Sequence, residues 1–101
     1  ASLSQAQINQ EQTSRAIMMQ QRIAANELQQ AQNNADNAAI QMKLAQEKSA
    51  WIKKGYQKGQ FDLAMYLKTL QEEWQSQSLL TRSRLEVARA ISRSNQAAGV
   101  Y

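Results

Sequence analysis

The stretch Trp51-Ile52-Lys53-Lys54-Gly55-Tyr56-Gln57-Lys58-Gly59-Gln60-Phe61-Asp62-Leu63 decides the fold. It holds two of the three glycines of a 101-residue chain that contains no proline. Proline breaks helix interiors, so its absence permits long helices. Glycine accepts left-handed backbone angles at little steric cost and so ends helices. The expected architecture is one helix over about residues 3–54, a turn over about 55–60 and a second helix over about 61–97. Asp62, near the start of the second helix, suits the positive end of its dipole. Tyr56 can cover the exposed hairpin end.

Outward from this turn the composition agrees. Gln supplies 17 residues and Ala 16, a third of the chain. Both are good helix formers, because they lose little side-chain freedom in a helix. In the first arm Ala24, Leu28, Ala31, Ala35, Ala38, Met42, Ala45, Ser49 and Ile52 recur at spacings of four and three, the rhythm of a coiled-coil seam. In the second arm Leu63, Leu67, Leu70, Trp74, Gln77, Thr81, Arg84, Ala88, Ile91, Asn95 and Ala98 keep that rhythm with larger members. The fold class is therefore all-α: a long antiparallel two-helix coiled-coil hairpin, with small residues of one helix facing large ones of the other. At 1.5 Å per residue the arms measure about 78 Å and about 55 Å, so the first 21 residues overhang.

Apolar groups also lie off this seam: Ile40, Leu44, Trp51, Met65, Tyr66, Leu79, Leu80, Leu85 and Val87. A lone hairpin leaves them wet, so assembly with other hairpins is expected. Trp51, Tyr66, Leu80 and Val87 are the candidate oligomer contacts.

The same composition narrows the chemistry. There is no cysteine and no histidine, which removes thiolate catalysis, disulfides, zinc–cysteine sites and the usual general base. Glu72 and Glu73 are adjacent on a helix and point about 100° apart, so they cannot converge on one proton. No nucleophile–base pair is present, and a non-enzymatic chain without cofactor or metal is expected. The longest apolar runs, Ala16–Met19 and Leu63–Leu67, fall far below the roughly 18 residues of a membrane span. Residues 43–101 carry the positive charge, and Lys43, Lys48, Lys53, Lys54, Lys58 and Lys68 surround the turn, opposed by Glu47 and Asp62. A basic tip suits an acidic partner. Nucleic acid fits poorly, because acids interrupt the Arg82–Glu86–Arg89–Arg93 face and few aromatics offer stacking.

The order Gly55-Tyr56-Gln57-Lys58-Gly59, followed by Leu63 and Leu67 four apart, resembles the TolC family of outer-membrane export channels. Ala45-Gln46, Ser83-Arg84, Ala88-Arg89 and Ala97-Ala98-Gly99 continue the likeness without a gap over residues 31–99. The resemblance implies a tyrosine-and-glycine turn at a periplasmic tip, a trimeric assembly and docking of a periplasmic adaptor through Gly55, Tyr56, Lys58 and Gly59. It implies that Phe61, Asp62, Met65 and Lys68 line a lumen or constriction. Members carry an arginine and two aspartates where this chain has Phe61, Met65 and Lys68, so an apolar or basic lining is expected. No segment reads as a barrel strand, and the resemblance therefore extends only to the last helical hairpin of such a channel. The other reading of the composition is a stand-alone structural or ejection component of a virion or of another secretion apparatus.

Overall fold

The computed structural model describes residues 2–99. It contains two helices, α1 (Ser2–Gln57) and α2 (Leu63–Ala97), folded back on each other. The molecule measures 86 × 19 × 15 Å. Its long axis is α1 itself, since 56 residues at 1.5 Å give about 84 Å. The radius of gyration is 23.6 Å, where a compact chain of this length would have about 13 Å.

The antiparallel register holds without slip. Lys48 bonds Glu72 at 3.0 Å and Glu27 bonds Arg93 at 3.2 Å. The step from one pair to the other covers the same number of residues on each helix, in opposite directions. Toward the open end, Gln21 Nε2 donates to the Ala97 carbonyl at 3.5 Å. N-terminal to this, α1 has no α2 beside it, and side chains 4–23 are all exposed. The overhang is thus as the arm lengths require.

The α1 seam is the one its periodicity gives. Ala24, Ala31, Ala38, Met42, Ser49 and Ile52 are buried, and Leu28, Ala35 and Ala45 are half-buried. The α2 seam differs from expectation by one residue. The side chains that face α1 are Tyr66, Thr69, Glu73, Ser76, Leu80, Ser83, Val87, Ala90, Ser94 and Ala97, at spacings of three and four. The expected stripe through Leu67, Leu70, Trp74, Thr81, Arg84, Ala88 and Ile91 is exposed along its length. The physical reason lies beyond Trp74. There the expected stripe would bury Gln77, Arg84 and Asn95, and an unpaired buried guanidinium is costly. The neighbouring stripe offers Ser76, Leu80, Ser83, Val87 and Ala90 instead. Both seams are consequently small, and the helices approach closely around a thin core centred on Ala38, Met42 and Leu80.

Polar members of this seam are accommodated. Thr69 Oγ1 donates to the Tyr66 carbonyl at 2.7 Å. Among the described residues no buried side-chain nitrogen or oxygen lacks a hydrogen-bond partner. Along α2, Glu86 takes Arg93 at 2.9 Å and Arg89 at 3.7 Å. Glu72, half-buried at the edge of the seam, bridges to Lys48 across the hairpin. No described helix is long and apolar enough to cross a membrane.

Candidate functional site

The turn is built from two capping devices in succession. α1 continues through Gly55 and Tyr56 to Gln57, past the expected end at Lys54. It closes at Gly59, whose φ of 75° is left-handed. The Gly59 amide donates to the Tyr56 carbonyl at 3.0 Å, and the Gln60 amide to the Gly55 carbonyl at 2.8 Å. These bonds satisfy carbonyls that the last helical turn leaves open, the pattern of a Schellman cap. Three residues later Asp62 caps α2, its Oδ1 accepting from the Met65 amide at 2.9 Å. The cap is worth about 1 kcal/mol.

Gly55 therefore has a different role from the one its sequence position suggests. It is a buried helical residue, not a turn residue. The Phe61 ring lies where a side chain on Gly55 would project. Glycine is needed there for close approach, and only Gly59 is needed for backbone freedom. Phe61, held against Gly55, also meets Trp51 in a tilted pair with centroids 5.6 Å apart. Tyr56 stacks on Tyr66 at 5.4 Å. Each pair adds about 0.5–1.5 kcal/mol beyond area burial. The tip is thus clamped by two aromatic pairs, each joining α1 to the turn or to α2.

These contacts sort the expected site residues. Tyr56, Lys58 and Gly59 are exposed at the hairpin end, as are Lys53 and Lys54 on the last turns of α1. Met65 and Lys68 are exposed on α2. Asp62 is exposed but its carboxylate is engaged as the cap, and Phe61 is half-buried and turned inward onto Gly55 and Trp51. Phe61 and Asp62 thus serve the hairpin's own turn.

The expected oligomer contacts also divide. Trp51 remains 66% exposed despite Phe61. Leu80 is 6% exposed in the core, and Tyr66 and Val87 are half-buried in the α2 seam. These three hold the hairpin together, because the α2 seam lies one residue from where the periodicity put it. On α2 the free apolar surface includes instead Leu63, Leu67, Leu70 and Trp74, with Trp74 80% exposed beside a groove lined by Gln77, Ser78, Thr81, Arg82 and Leu85. That stripe was legible at its spacing but was assigned to the wrong side.

At the far end of α2, the Arg93 guanidinium hydrogen-bonded to Glu86 holds that carboxyl below its ordinary value, and the same bond raises Arg93. No group of three or more metal-ligating side chains occurs among the described residues. No protein-family model, curated protein or solved structure matches the chain.

Proposed function

We propose that this chain is a structural helical segment of an outer-membrane export conduit, in which hairpins stand side by side and the tip docks a periplasmic partner. Its role is scaffolding rather than catalysis. The reading rests on the order Gly55-Tyr56-Gln57-Lys58-Gly59 with its continuation to Gly99, which is similar to the TolC family. The observation that carries the assembly is the exposed stripe Leu63, Leu67, Leu70 and Trp74 on α2. The chain exposes 8040 Å², where a compact monomer of its mass exposes about 5,800 Å². A surplus of this size with large apolar side chains in it suits a molecule that is finished by neighbours.

In this assembly the small seams set the helix spacing within each hairpin, and the outer stripe of α2 sets the spacing between hairpins. The mechanism is passive: the walls define a path, and the Tyr56–Gly59 end meets the next component. Sedimentation velocity tests the assembly. The intact chain is expected to associate, and Leu67→Ser with Trp74→Ser to be monomeric with unchanged helical circular dichroism. A wild-type chain that stays monomeric at high concentration would overturn the reading.

A further inference from the structure

All six lysines of the chain, Lys43, Lys48, Lys53, Lys54, Lys58 and Lys68, fall within residues 43–68. All six arginines lie outside that segment. With Glu47 and Asp62, the lysine segment carries the whole net charge of +4. The remainder balances, six arginines against Glu11, Glu27, Asp36, Glu72, Glu73 and Glu86. The arginines include structural ones: Arg89 and Arg93 are bonded within the hairpin. All six lysines are exposed, and among the described residues only Lys48 is in an ion pair.

The tip half of α1 pairs this charge with an apolar stripe. Ile40, Leu44 and Trp51 are exposed at 58%, 58% and 66%. They recur at helical spacing on the side away from α2, with Glu47, Lys54 and Lys58 in the same row and Lys43 at its edge. We propose that this outer face of α1, from Ile40 to Lys54 and continued by Lys58 in the turn, binds an acidic amphipathic helix of a partner protein. Leu44 and Trp51 are the apolar anchors, and Lys43, Lys54 and Lys58 meet flanking carboxylates. The proposal deepens the docking reading above, on which it rests, by naming the chemistry of the partner.

Two other occupants fit less well. A second copy seated on the same face would set lysines against lysines, and its N-terminal residues 1–42 sum only to −1. A planar lipid surface met end-on engages a depth of about 5–10 Å, whereas Lys43 and Lys58 are about 22 Å apart along the helix. Laid flat, the face would press the Glu47 carboxylate into the headgroups. A partner helix can place its own cation opposite Glu47. Aligned hairpins add a further reason. By the Lys48–Glu72 register the tip end spans residues 43–77, where six lysines face Glu47, Asp62, Glu72 and Glu73; aligned tips gather +2 per chain at one end, and an acidic partner neutralises that repulsion.

The test uses the intact chain and a dye-labelled synthetic heptad-repeat helix, with leucine at the apolar positions and glutamate beside them. Fluorescence anisotropy is compared with the same peptide carrying lysine for glutamate, with vesicles of equal parts phosphatidylcholine and phosphatidylglycerol, and with a single-stranded oligonucleotide. The acidic peptide is expected to bind at least about tenfold more tightly than its lysine counterpart, and to weaken as salt rises. Lys54→Glu with Lys58→Glu should abolish that preference, and Trp51→Ala should weaken binding with circular dichroism unchanged. Equal binding of both peptides, no binding, or preference for vesicles or oligonucleotide would each overturn the proposal. If the chain still associates in sedimentation while refusing the acidic helix, the conduit reading stands and only the partner chemistry falls. If a monomeric chain binds the acidic helix, the reverse holds.

Discussion

The two long faces of α2 invert the usual distribution of side chains. The face packed on α1 is built from Thr69, Ser76, Leu80, Ser83, Val87 and Ala90, mostly small and partly polar. The neighbouring exposed stripe carries Leu63, Leu67, Leu70, Trp74 and Ile91. In a molecule stabilised mainly by its own core, volume would be inside. Here closeness is inside and volume is outside. Small side chains let dispersion contacts run along two backbones, so the seam depends on fit more than on area. Within the hairpin itself the large groups gain no such burial.

The sharpest way to break this contrast is to enlarge one seam residue and shrink one outer residue. Ala90 is 1% exposed. Ala90→Leu forces extra volume between two close helices and is expected to cost about 2 kcal/mol in urea denaturation. Trp74→Ala removes a far larger side chain, yet it should change monomer stability by less than about 0.5 kcal/mol. A Trp74→Ala cost equal to that of Ala90→Leu, measured below the association threshold, would mean that the outer face stabilises the single hairpin.

The tip end of the seam gives a second, smaller test. Gly55→Ala gains about 1 kcal/mol of helix propensity. Against this, the new methyl collides with the Phe61 ring and separates it from Trp51. Overpacking costs about 1–3 kcal/mol, so a net loss of about 1 kcal/mol is expected, with altered tryptophan fluorescence. A stabilised Gly55→Ala chain would show that Phe61 moves aside freely and that close approach at Gly55 is unimportant.

The same contrast explains what was legible in the sequence. All nine α1 seam residues read from spacing are buried or half-buried, because α1 has one continuous small stripe from Ala24 to Ile52. In α2 two adjacent stripes are both plausible. Leu67, Leu70 and Trp74 draw the phase one residue late, although Arg84 and Asn95 further along count against it. Hydrophobicity alone favours the first half of the wrong stripe; the cost of burying Arg84 selects the right one. At the tip, the role of Gly59 follows from residue type, whereas that of Gly55 does not. Its need is set by Phe61, which returns to it only after the chain has turned. The Asp62 cap was readable, because the side chain acts on its own helix three residues on.

The smallest expected effect lies on the rim between the two faces. Glu86 is half-buried beside the seam, receives Arg93 and Arg89 from its own helix, and shares Arg93 with Glu27 of α1. Its hydrogen bond from Arg93 holds its carboxyl below the ordinary 4.5. A carboxyl depressed in the folded state binds fewer protons there than in the unfolded chain. Its contribution is therefore complete above the unfolded value and is lost as pH falls through the folded one. Thermal unfolding followed by circular dichroism should show the melting midpoint falling below about pH 5, less steeply for Glu86→Gln than for the natural chain. The difference will be slight, because the pair is open to solvent and salt screens it. Identical slopes would mean that the Glu27–Arg93–Glu86 cluster does not couple the rim of α2 to α1, leaving the small-residue seam alone to hold the open end of the hairpin.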